Sequence, residues 1–169
     1  MFPSLAGQSA TYLYLQLREY KAGTRASDVM RPQVEHLSDQ DMKDLSAHYA
    51  SLRAERSTAA ASGTTDAGQA LYTRGSSTAG IPPCQGCHGV TGRGPVAKSA
   101  LVARPTTPWV TFPSLAGQQP QYVVAQLKAY QGGERGGTTN ARIMHGVVLN
   151  LDDSAMQAVA AYLSQLATD

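Results

Sequence analysis

The run Cys84-Gln85-Gly86-Cys87-His88 constrains this chain more than any other feature. A C-x-x-C-H run is the attachment signature of a c-type haem. Two thiols must add to the two vinyl groups on one edge of a porphyrin, and two intervening residues bring both sulfurs to one side of a single tight turn. The histidine that follows then falls under the iron as its proximal ligand. The other chemistries of a Cys pair fit poorly. A redox dithiol of the thioredoxin kind needs a βαβ setting, which the sequence does not offer. A four-ligand zinc site needs a second Cys/His pair. The chain has two Cys, both in this run, and no His-x-x-x-His pair.

Composition sets the limits around that motif. The 169 residues suffice for one ordinary domain or two small ones, with a soluble balance of 15% charged and 42% hydrophobic residues. No apolar run approaches the ~18–20 residues of a membrane span. With two Phe and one Trp, the side chains alone make a thin core, and a buried macrocycle would add the apolar surface they lack. The formal charge of +2 equals in size what two haem propionates would cancel. Residues 1–57 hold seven basic and seven acidic residues and residues 58–169 seven and five, so there is no basic stripe and nucleic acid is not an expected partner. A signal peptide is not expected either, since Phe2-Pro3-Ser4 follows Met1 without a basic or apolar leader region.

The second feature is an internal repeat. Phe2-Pro3-Ser4-Leu5-Ala6-Gly7-Gln8 recurs as Phe112-Pro113-Ser114-Leu115-Ala116-Gly117-Gln118, and Tyr12, Gln16, Leu17 and Tyr20 recur as Tyr122, Gln126, Leu127 and Tyr130. Eleven of nineteen positions are identical at an offset of 110, so the two segments are copies of one unit. Each copy reads as a helix that stops at glycine, Gly23 or Gly132-Gly133. Met30 and Met144 each precede a leucine, Leu37 or Leu151, by seven residues. Ser38 and Asp152 then read as N-caps of closing helices. The second copy alone has a front end: a short helix over 67–72, the haem motif, a Gly/Pro-rich loop and Trp109. The chain is therefore expected to begin in the middle of its first unit. The expected organisation is an incomplete unit at 1–53, a small-residue linker at 54–65 and a complete one-haem domain at 66–169. Residues 1–53 are too few for a convincing independent core. They are expected to pack on the complete domain, on another chain as a homodimer, or poorly.

Three residues compete for the iron face opposite His88. Met144 follows Gly132-Gly133-Glu134-Arg135-Gly136-Gly137 and is expected in an irregular stretch that can lie across a haem. Met156 sits at a core position of the last helix, and His145 adjoins Met144. Position favours Met144, and a thioether ligand raises the potential, as electron transfer requires. The His88 Nδ1–H needs an acceptor, for which the carbonyl of Pro95 is a candidate; otherwise Pro95 is a turn residue. Trp109, with Ile81 and Val90, is expected at the exposed haem edge where a partner docks, or else Trp109 packs against the haem. His36 and His48 read as surface or interface histidines, and Met30 as a relic ligand or one facing a haem that this chain does not attach.

The segment Ile81-Pro82-Pro83-Cys84-Gln85-Gly86-Cys87-His88-Gly89, the Gly92-Arg93-Gly94-Pro95 turn and both Leu-Ala-Gly-Gln helices resemble the class I cytochromes c. They are most similar to the two-domain dihaem members of the c-four type. The resemblance covers nearly the whole chain. It implies an all-α class I cytochrome c fold for the second unit and an incomplete copy for the first. It implies one covalent haem c through Cys84 and Cys87 with His88 and Met144 as axial pair, because the first haem motif of the family is absent. It further implies a periplasmic, non-enzymatic electron carrier, often associated with the membrane periphery. Its partners would be redox proteins: a terminal oxidase, a quinol-oxidising complex or a dehydrogenase. The alternatives are the cytochrome subunit of a dehydrogenase complex of the flavocytochrome type and, from another class, an open-site haem enzyme or sensor.

Overall fold

The structure is a computed structural model that describes residues 2–55, 65–94, 101 and 111–168. Among these residues the chain is all-α: eight helices, no strand, and one isolated antiparallel bridge between Ser76 and Ile81. The first group is α1 (Ala10–Ala22), α2 (Met30–Val34) and α3 (Asp39–Ser51). The second is α4 (Thr65–Arg74), α5 (Gln85–His88), α6 (Pro120–Gln131), α7 (Thr139–Val148) and α8 (Asp153–Gln165).

Local chemistry sets these boundaries. Ser9 caps α1 through the Tyr12 N–H, and Gly23 ends it in the left-handed conformation. Pro120 opens α6, where its missing N–H costs nothing. Ser38 and Asp41 form a reciprocal capping box on α3, and Asp152 caps α8 through the Ala155 N–H, as their sequence positions suggested. The helix expected over 67–72 extends to Thr65–Arg74.

The two copies also repeat their burial. Val34 and Val148 are fully buried, as is Met156, while its counterpart Met42 is nearly so. They differ where α4 acts. In the second group α4 crosses α8 closely, and a Cβ on Gly68 would overlap the Ala158 carbonyl oxygen. Tyr72 of α4 is fully buried and its ring lies 5.5 Å from that of Tyr162. Among the described residues α3 has no such cover. Leu45 is 37% exposed, whereas its α8 counterpart Val159 is 3% exposed.

The first group packs on the second through the repeated segment itself. The Gln8 side chain donates to the Ser114 carbonyl (2.8 Å) and accepts from the Ser114 N–H (2.8 Å). Gln118 does the same with Ser4, at 3.0 and 2.7 Å. Two amide clamps thus relate the copies by a local pseudo-two-fold. Thr168 Oγ1 adds a bond to the Ala54 carbonyl at 2.9 Å.

Gly68→Ala is expected to push α4 off α8 and to cost about 1–3 kcal/mol, as overpacking does. A denaturant titration of the haem-loaded protein checks this; unchanged stability would contradict the close crossing.

Candidate functional site: a histidine and a methionine facing one cavity

The haem motif is built on a short, heavily tied turn. Ser76 and Ile81 exchange two backbone hydrogen bonds of 2.8 Å, which set the entry into Pro82-Pro83. The single turn of α5 brings the His88 N–H to the Cys84 carbonyl (3.0 Å). Gly89 closes it at φ 78°, a conformation that a Cβ would strain. The Gln85 side chain donates to the Thr73 carbonyl at 2.6 Å and the Tyr72 hydroxyl to the Gly89 carbonyl at 2.6 Å, so α4 holds both ends of the turn. Beyond it, the Gly94 N–H returns to the His88 carbonyl (2.9 Å), and the Leu115 and Ala116 N–H groups both reach the Gly92 carbonyl.

These ties bring the repeated Phe-Pro-Ser-Leu segment under the histidine. His88 Nδ1–H donates to the Pro113 carbonyl at 3.1 Å, and the Phe112 ring lies 6.1 Å from the imidazole. A carbonyl can only accept, so Nδ1 carries the proton and Nε2 keeps its lone pair, the state that binds a metal. Burial lowers the His88 pKa, against the pull of the Pro113 carbonyl, and this also favours the neutral ring. The acceptor is thus a proline carbonyl, that of Pro113. Pro95 and Trp109 lie outside the described residues.

Cys84, Cys87, His88 and Met144 all line one cavity of about 1120 Å³, which extends between the two helix groups. Its walls are mainly apolar, with Leu71, Leu115, Val123, Leu127, Val148 and Val159 among them. Burial raises the Cys84 thiol to about 11, which ill suits a redox dithiol. Among the described residues no three His, Cys, Asp or Glu side chains cluster as a metal site, so zinc has no donor set here. Two thiols, a tautomerically fixed imidazole and a thioether, all lining one large apolar cavity, are a donor set that fits a covalently held haem.

Met144 lies on α7, not in an irregular stretch. Thr138 caps the Ala141 N–H and starts the helix directly after the glycine-rich segment. The Gln131 side chain then ties the end of α6 to the carbonyls of Val148 (3.0 Å) and Leu151 (2.8 Å), fixing α7 over the cavity. Met156 is fully buried in the hydrophobic core and does not line the cavity. His145 Nδ1–H is engaged by the Tyr130 carbonyl at 2.7 Å. Met30, on the first turn of α2, lines the same cavity from the other group. Of the expected docking residues, Val90 is exposed, but Ile81 belongs to the core and is held there by its bridge to Ser76. His36 lies at the surface beside Glu35, and His48 is exposed.

Tyr72→Phe is expected to cost about 1 kcal/mol of stability, the net worth of one buried hydrogen bond, with the haem spectrum unchanged. A thermal melt followed in the haem absorption checks it, and a change of axial spectrum would mean that Tyr72 does more than brace the turn.

Comparison with known proteins agrees with this geometry. The cytochrome c family model matches residues 65–167. The chain is 32% identical to cytochrome c4 of Azotobacter vinelandii over 98% of its own length and 77% of that relative. It is 34% identical to the thiosulfate dehydrogenase electron acceptor of Stutzerimonas stutzeri, over 98% and 71%. The solved cytochrome c4 of Acidithiobacillus ferrooxidans superposes with a TM-score of 0.82 at 30% identity, covering 97% of this chain and 88% of that one. The chain belongs to the cytochrome c family, similar along its length to the cytochromes c4, and is an electron-transfer protein carrying covalent haem c rather than an enzyme.

Proposed function

We propose that this chain is a periplasmic one-electron carrier with a single haem, bonded to Cys84 and Cys87 and ligated by His88 and Met144. Residues 66–169 form its haem-bearing domain, residues 54–65 the linker, and residues 1–53 a haem-less companion. The observation that carries the reading is that His88, buried and fixed in the Nε2-free tautomer by Pro113, shares one cavity with Met144. When bound, the haem supplies a ferric/ferrous couple within that cavity.

The protein's own part is to hold that couple and keep the iron closed. Pro113 orients His88, and the Gln131 clamp holds α7, so that Met144 can occupy the opposite face. Two filled axial positions leave no place for a substrate, which supports a carrier over an open-site enzyme or sensor. A thioether also favours the reduced iron and raises the potential.

The partner is a redox protein. Similarity to a thiosulfate dehydrogenase electron acceptor favours a dehydrogenase as electron donor, with a terminal oxidase as acceptor. Among the described residues no helix is long and apolar enough to cross a membrane.

The axial assignment predicts that the oxidised protein shows the weak methionine–iron charge-transfer band, that Met144→Ala abolishes it, and that the midpoint potential falls. Met156→Ala keeps the band while costing about 2–5 kcal/mol of stability, as core truncation does. Survival of the band in Met144→Ala would overturn the assignment.

A further inference from the structure

Gln8 does more at the interface than hold the two helix groups together. It is buried, only 6% exposed, and backbone groups engage both ends of its amide. Oε1 accepts from the Ser114 N–H (2.8 Å) and from the Ser9 N–H (2.9 Å), while Nε2 donates to the Ser114 carbonyl (2.8 Å). A backbone N–H can only donate and a carbonyl can only accept, so these partners fix which end of the amide is oxygen.

The Ser114 N–H is not an isolated donor. It belongs to the same peptide group as the Pro113 carbonyl, which accepts from His88 Nδ1–H at 3.1 Å. Three groups therefore stand in one line of donation. The His88 imidazole gives to the Pro113–Ser114 peptide, and that peptide gives to the Gln8 amide. Resonance couples the two ends of a peptide group. Donation from its nitrogen to Gln8 Oε1 moves electron density toward its carbonyl oxygen. Hydrogen bonds linked in this way strengthen one another, by roughly 10–30% per bond. His88 and Gln8 are both buried, so the line runs out of water, where such polarisation is felt most.

Resting on the haem site proposed above, we infer that Gln8 of the first helix group tunes the iron through the His88 ring: by accepting from the Ser114 N–H it makes the Pro113 carbonyl a stronger acceptor and gives the imidazole more imidazolate character. A ring that has given up more of its Nδ1 proton donates more strongly from Nε2. Stronger donation favours ferric iron, so this bond sets the potential lower than the axial pair alone would. Gln8 is a positioning residue, acting through Pro113 and His88. The repeat supplies its matched control. Gln118, 8% exposed, makes the mirror-image set: Oε1 accepts from the Ser4 N–H (2.7 Å) and the Gln119 N–H (2.9 Å), and Nε2 donates to the Ser4 carbonyl (3.0 Å). The peptide it polarises is Pro3–Ser4, which is not the one that receives His88. Loss of either glutamine loosens the same interface, but only loss of Gln8 breaks the line to His88.

Equilibrium redox titration of the haem-loaded protein tests this, with intact mass, the methionine band and a thermal melt recorded on every sample. Gln8→Met, close in volume but without acceptor or donor, is expected to raise the midpoint potential and to speed exchange of the His88 Nδ1 proton. Gln118→Met is expected to lower the melting temperature as Gln8→Met does, yet to leave potential and Nδ1 exchange at the parent values. A potential that stays or falls in Gln8→Met, as loosening and entry of water alone would make it do, overturns the role of Gln8. An equal rise in Gln118→Met overturns it too. If Gln8→Met does not load haem, hydrogen exchange in the reduced parent protein decides. There the Ser114 amide proton is expected to exchange at least about tenfold slower than an exposed amide, and exchange at the exposed rate overturns the line of bonds. Absence of haem or of the methionine band in the parent protein would instead overturn the site on which this role rests.

Discussion

One hydrogen bond, from His88 Nδ1–H to the Pro113 carbonyl, organises the rest of this protein. It joins the haem motif to the repeated Phe-Pro-Ser-Leu segment, 25 residues away. It chooses the imidazole tautomer, so that Nε2 faces the cavity. The supports around it have the same purpose. Tyr72 and Gln85 brace the turn from α4, Gly68 lets α4 approach α8, and the Gly92 carbonyl receives Leu115 and Ala116. Loss of any of these would loosen the hold on the His88 ring.

The same repeated segment also has a second use. Its glutamines, Gln8 and Gln118, form the reciprocal clamps between the two helix groups. That gives the block a use in both copies besides its contact with His88. The first copy's Gln8 holds Ser114, the residue after Pro113. The first group therefore braces the segment that orients His88, and through Arg25 it reaches the far wall of the same cavity.

Much of this was legible in the residues. The attachment run, the helix caps at Ser38 and Asp152, the glycine stops and the core position of Met156 follow from short-range chemistry, which sequence records directly. The long-range parts were not. The acceptor for His88 is the Pro113 carbonyl, 25 residues on in the sequence, a pairing that no local pattern encodes. Met144 sits on a helix because Thr138 caps it immediately after the glycines, a signal outweighed by the Gly-rich run before it. Ile81, expected at the exposed haem edge, is turned inward by its bridge to Ser76. Arg25 and Arg135, each buried and bonded across the interface, left one trace. Gly23-Thr24-Arg25 and Gly133-Glu134-Arg135 share the offset of 110, so the repeat runs past the helices to the two residues that meet at the interface.

The central claim is that one haem is gripped between His88 and Met144, with Met30 on the same cavity wall left free of iron. Proton NMR of the reduced, haem-loaded protein tests it most directly, because a methionine bound over a porphyrin has its methyl resonance driven far upfield by the ring current. The account predicts a single upfield methyl signal, assigned to Met144, together with a slowly exchanging His88 Nδ1 proton. Two such methyl signals, or none, would contradict it.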